Sequence, residues 1–148
     1  MSIIPVPATK TAAQVPVGAV VPTAEKSFTT VDLVAYGAAT WDWHRLHYDV
    51  DYARSLKLPN VIVDGQVYGA ILAKQALDWL GPRAFITKMS LKMRTMAFAG
   101  DTLRAEGEVS AVRTEGTFDV VVLAQRLTLG DKLAAESTTE VRLPKVRG

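Results

Sequence analysis

Asp64-Gly65-Gln66-Val67-Tyr68-Gly69-Ala70-Ile71-Leu72-Ala73-Lys74-Gln75-Ala76-Leu77-Asp78-Trp79-Leu80-Gly81-Pro82 decides the architecture of this chain. An aspartate can accept a hydrogen bond from a free amide of a first helical turn, and Gly followed by Pro ends a helix. The polar side chains at 66, 74, 75 and 78 read as one stripe, with apolar or small residues elsewhere. Such a helix has to be wrapped on most of its sides. Its sixteen residues from Gly65 to Leu80 span about 24 Å, the width of a small domain.

The wrapping follows directly in the sequence. Phe85, Thr87, Met89, Leu91 and Met93 alternate with Lys88, Ser90, Lys92 and Arg94, the period of a half-buried strand. Gly100-Asp101 marks a turn, after which Leu103, Ala105, Gly107, Val109 and Ala111 alternate with charged residues. Glu115-Gly116-Thr117 leads into an apolar strand, Phe118 to Leu127, and Gly130-Asp131 into a last one between Leu133 and Leu143. One apolar helix followed by four strands on short connections predicts an α+β fold, a single curved antiparallel sheet wrapped around a central helix. That is the hot-dog arrangement. A sheet covering one face of its helix leaves apolar surface for a second copy, so a dimer is expected.

Composition narrows the classes. At 148 residues and 49% hydrophobic content the chain suits one compact domain. Its 17 basic and 15 acidic residues are dispersed, giving a net charge of +2 with no basic stripe for nucleic acid or a membrane surface. Without cysteine it has no disulfide and no thiolate chemistry, and a reducing, cytoplasmic setting is expected. No window reaches the ~18 apolar residues of a membrane span. Residues 1–16, with Pro5, Pro7 and Pro16, read as a flexible N-terminal leader, and 17–148 as the domain. Within the domain, Val17 to Lys26 is a weak strand and Val31 to Ala38 a helix capped by the Ser27-to-Thr30 hydroxyls. Gly37 and Thr40 end that helix in a turn, and Val50 to Leu56 is a short helical piece.

The chemistry concentrates in Thr40-Trp41-Asp42-Trp43-His44-Arg45-Leu46-His47-Tyr48-Asp49, which holds both histidines of the chain. Asp42 and His47 are five residues apart, about 140° on an ideal helix, so they converge only if the chain turns between them. A carboxylate and an imidazole brought together under aromatic cover make an acid/base pair. Three plainer readings stand beside it. His47 can be a hydrogen-bonded structural histidine, Asp42 a helix cap, and the two histidines with Asp42 a metal loop. Asp64 reads as an N-cap, and Trp41 and Trp43 as packing.

This order of elements resembles the MaoC-like hydratases, a hot-dog family that includes (R)-specific enoyl-CoA hydratases and 3-hydroxyacyl-thioester dehydratases. The family motif is Asp, any residue, Asn, Pro, an aliphatic residue and His, followed by Asp and Tyr-Ala. Asp42, Leu46, His47, Asp49, Tyr52 and Ala53 match it, and Phe98-Ala99-Gly100-Asp101-Thr102-Leu103 resembles the family's turn into its next strand. His44 stands in place of Asn, Arg45 in place of Pro, Asp64 where His is common, and Lys74 near a supporting Ser.

The resemblance implies a hydratase or dehydratase of enoyl-CoA or 3-hydroxyacyl-CoA thioesters, with Asp42 and His47 on the reacting water. The first-turn amide of Gly65 would polarise the thioester carbonyl, and Trp43, His44 and Tyr68 are assigned to substrate contact. It implies no metal and no cofactor. The Trp79-to-Pro82 end and the aromatics resemble small MaoC-type subunits for steroid-derived thioesters, some of which work beside a partner chain. The expected assembly is a homodimer or higher oligomer, with a heteromer of two MaoC-like chains as the alternative. An acyl-CoA-binding subunit and a hot-dog thioesterase are the rival functions.

Overall fold

The computed structural model describes residues 8–145. Five strands form one antiparallel sheet: β1 (Val20–Ser27), β2 (Phe85–Met93), β3 (Thr102–Glu115), β4 (Phe118–Leu129) and β5 (Lys132–Pro144). They lie in the order β1-β3-β4-β5-β2. Three α-helices accompany them, α1 (Thr30–Thr40), α2 (Val50–Ser55) and α3 (Gly65–Leu80). The long hairpins β3–β4 and β4–β5 follow from turns at Gly116 and Gly130, both with a φ of 56°, which glycine adopts without strain. The segment 17–26, weak as a strand by sequence, pairs with β3 and closes one edge.

α3 is the wrapped helix. Asp64 Oδ1 accepts from the Gln66 N–H at 2.8 Å, and Gly81 closes the C-terminal end with a φ of 101°. Val67, Tyr68 and Leu72 enter one apolar cluster with Val61, Val63, Leu103 and Leu127. Ala76 and Leu80 enter another with Val15, Val21, Leu123 and Val141. Gln75, read on the polar stripe, lies between the two clusters and is buried. Its amide donates to Pro22 O at 2.9 Å and Ala105 O at 3.1 Å. The β1–β3 register slips between Val21 and Ala24, and Pro22 falls in the slip, where its carbonyl is available to the helix. Gln125 donates to Leu72 O and to Gln75 Oε1, both at 2.9 Å, and accepts from the Thr139 hydroxyl at 2.7 Å.

Three other expectations change. Residues 8–16 of the leader are held against the body: Lys10 N donates to Leu80 O, Arg83 N to the Thr9 hydroxyl, and Val15 is fully buried. The docking follows from Gly81, whose missing side chain lets the Thr9 backbone approach. The remainder of the leader, residues 1–7, lies outside the described residues. α1 does not stop at Gly37 but runs to Thr40, because Gly37 faces the chain that folds back over it. Strand β2 is an edge strand; its Phe85 side chain is exposed, and Met93, also largely exposed, reaches only the first residue of α3.

Candidate active site

The turn that brings Asp42 to His47 is built at the end of α1. Trp41 takes a left-handed φ of 61° as the C-cap, and the Asp42 N–H donates to Gly37 O at 3.0 Å. A Cβ at Gly37 would lie 2.8 Å from the Asp42 carbonyl oxygen, so only glycine lets the two backbones pack this closely. Beyond Asp42 the chain makes a short 3₁₀ turn, Arg45–His47. His44 starts it: its N–H donates to Asp42 Oδ1 at 3.1 Å and its Nδ1 accepts from Leu46 N–H at 3.3 Å. The imidazole therefore caps this turn, much as a side-chain amide oxygen would.

Arg45 clamps the other end. Its guanidinium donates to Asp49 Oδ2 at 2.7 and 3.0 Å and lies 4.3 Å from the Tyr52 ring centre. Asp49 Oδ1 caps α2 through the Tyr52 N–H. That amide and then the Arg45 side chain hold the Asp49 carboxyl below the usual carboxylate range.

The extended segment 61–64 is the second wall. Ile62 N–H donates to Leu46 O, Val63 N–H to Ala97 O, and Ala99 N–H to Val61 O. Ile62 O accepts from His47 Nδ1 at 2.8 Å, which fixes the ring and leaves Nε2 as its free atom. Asp64 ends the segment. Leu33, Tyr36, Gly37, Asp42, His47 and Asp64 line one narrow crevice. Burial, then the carboxylates of Asp64 and Asp42, push the Tyr36 phenol up, so it stays protonated at neutral pH.

Asp42, His47 and Asp64 each offer a ligand atom within 4.8 Å of the others. A divalent ion bound at about 2.1 Å draws neighbouring ligands to about 3 Å of one another. The limit of 4.8 Å admits a hydrogen-bonded molecule between the three groups. Asp64 is more than an N-cap: one oxygen caps α3, while Oδ2 is buried with no partner among the described residues. A carboxylate directly before a helix-opening glycine was the only signal.

The other expected residues are placed differently. The Gly65 amide opens α3 next to Asp64 and, among the described residues, donates to no protein acceptor. Met93 lies over it, its sulfur 2.5 Å from where a Cβ would sit. Trp43 is 44% exposed and stands between Trp41 and Tyr48 in an edge-to-face ladder, beside the crevice rather than in it. Tyr68, expected to touch substrate, is 2% exposed. Its hydroxyl donates to Thr95 O at 2.9 Å and accepts from Ala97 N–H at 2.8 Å, so it anchors the 95–97 segment and is absent from the crevice lining.

A helix wrapped by a five-stranded sheet, with Asp42 and His47 gathered near its N-terminal end, is the architecture of the hot-dog hydratases and dehydratases. The chain belongs to the MaoC-like family, whose domain description matches residues 12–129. It is 31% identical to the beta subunit of 3-oxo-4,17-pregnadiene-20-carboxyl-CoA hydratase of Mycobacterium tuberculosis, over 85% of this chain and 96% of that one. It is 28% identical to the (R)-specific enoyl-CoA hydratase of Aeromonas caviae, over 80% and 89% of the two chains. The solved structure of the Aeromonas caviae (R)-hydratase superposes with a TM-score of 0.79, at 26% identity over 88% and 98%. The ChsH1-ChsH2 complex from Mycobacterium tuberculosis gives 0.73, at 26% identity over 86% and 98%. Among the described residues no helix is long and apolar enough to cross a membrane.

Proposed function

We propose that this protein adds water across an enoyl-CoA thioester, or removes it from a 3-hydroxyacyl-CoA, with Asp42 and His47 as its working groups. One observation carries the assignment: the chain folds back over Gly37, and Asp42 and His47 each bring a ligand atom within 4.8 Å of the other and of Asp64, the N-cap of α3. Hydration needs a base for the water that attacks Cβ, an acid for Cα, and a donor for the enolate oxygen. The Asp42–His47 pair supplies the first two, both groups holding the same water. The Gly65 N–H supplies the third, since it has no partner among the described residues and stands at the positive end of the helix dipole. Met93, on a flexible and exposed side chain, is displaced by the thioester.

The acyl group is bulky in this reading. The mycobacterial relative named above is a hydratase subunit for a pregnadiene carboxyl-CoA, and Trp41, Trp43 and Tyr48 offer exposed aromatic surface beside the crevice. Exposed Phe85, Met93 and Met96 favour assembly, either with a second copy or with another MaoC-like chain. The deciding experiment is a screen of enoyl-CoAs, from crotonyl to steroid-bearing, followed at the enone absorbance. It is run on the purified chain alone and with the neighbouring gene product. Loss of enone in either preparation supports the assignment, and its mass in solution separates homodimer from heteromer. No hydration in either, or release of free thiol instead, overturns it.

A further inference from the structure

We infer that Asp64 is a third water-holding group of the site, set there by the helix cap that its other oxygen makes. The proposal rests on the hydratase reading above and deepens it. Asp64 is 7% exposed, Oδ1 is engaged by the Gln66 N–H, and Oδ2 is buried with no partner among the described residues. A buried carboxylate oxygen left open is costly, and native interiors pair nearly all such atoms. Asp64, Asp42 and His47 line one crevice, and each brings one ligand atom within 4.8 Å of the others. Two groups each about 2.8 Å from one water, at a tetrahedral angle, lie about 4.6 Å apart. One water bridging the three groups falls within that limit.

The hydrogen-bond inventory of water then assigns the roles. Water has two protons and two lone pairs. Asp42 and Asp64, as acceptors, take one proton each, and the Nε2–H that His47 must carry to act as the acid occupies one lone pair. The second lone pair is left pointing out of the cluster, where Cβ of the enoyl group has to arrive. On attack, the oxygen forms its bond to Cβ as the π bond opens toward Cα. One water proton passes to the carboxylate side, the other stays as the product hydroxyl, and Cα receives a proton from the site, so one H₂O is added overall. Asp64 holds the proton that stays. With only Asp42 and His47 the water could rotate about their two bonds, and the third acceptor removes that freedom.

The cap makes the test specific. In Asp64→Asn the amide oxygen must face the Gln66 N–H to keep the cap, so the NH₂ group faces the site and offers a donor where the water needs an acceptor. The expected result is a kcat at least about tenfold lower with KM within threefold and an unchanged melting temperature. A purely structural cap predicts wild-type kcat in this variant, and that result overturns the inference. Asp64→Ala, which loses cap and acceptor together, should lower both kcat and melting temperature. Independently of turnover, high-resolution crystal structures of the wild type and Asp64→Asn read the site directly. A water within hydrogen-bond distance of Asp42, His47 and Asp64 in the wild type, displaced in the variant, supports the assignment even if no enoyl-CoA is hydrated. An ion at about 2.1 Å from the three groups, or no density there, overturns it.

Discussion

Two groups of polar atoms sit against α3, and they are built on opposite terms. Midway along the helix, Gln75, Gln125 and Thr139 use both amide N–H pairs, both amide oxygens and the hydroxyl on one another and on the carbonyls of Pro22, Leu72 and Ala105. Ser137 extends the chain to Thr139 at 3.2 Å. Nothing is left for a guest. At the N-terminal end, the second Asp64 oxygen, the Gly65 amide and Nε2 of His47 have no partners among the described residues. A polar network that closes on itself fixes the register of helix on sheet. One that stays open holds its unmet hydrogen bonds for a ligand, and the contrast separates scaffold from site without appeal to function.

The two groups should fail in different currencies. Asp42→Asn and His47→Ala are each expected to cut hydration by about 10²–10⁴-fold with a thermal melt like that of the wild type, and retained turnover in either folded variant would break the contrast. Gly37→Ala, which drives a methyl into the Asp42 carbonyl, should misplace the carboxylate and cost about 10²-fold in kcat/KM while the fold persists. In the closed network, Gln125→Leu leaves Gln75 Oε1 without its donor and the Thr139 hydroxyl without its acceptor. It should lower unfolding free energy by about 2–4 kcal/mol in urea titrations, with activity per folded molecule preserved.

The smallest effect concerns acid. The Asp49 carboxyl is held below its ordinary value of 3.8 by the Tyr52 amide and Arg45. Its stabilisation is complete above that value and is lost as pH falls through the depressed one. Tryptophan fluorescence of the Trp41/Trp43 loop should therefore change as pH falls below 3.8. Asp49→Asn should remove that dependence.

The parts legible in the sequence are those whose causes are local. The cap and stop of α3, the alternation of its strands and the turn between Asp42 and His47 all rest on neighbours within a few residues. What sequence did not disclose depends on distant partners. Gln75 looks like a solvent residue until Gln125 and Pro22, about fifty residues away on either side, are brought to it. Gly37 looks like a helix breaker, although its work is to admit the Asp42 backbone. Tyr68 looks available because its helical position says nothing of the Thr95 and Ala97 groups that consume its hydroxyl. Asp64 was half legible, since a cap declares one oxygen and is silent about the other.

The seam at residues 61–63 has a kinetic consequence. The Ile62 amide is bonded to the histidine loop, the Val63 amide to Ala97, and the Ile62 carbonyl to the His47 ring. Hydrogen exchange at the Ile62 and Val63 amides needs the seam to part, and the same event lets go of the imidazole. The exchange rates at those two amides thus report how often the assembled site comes apart.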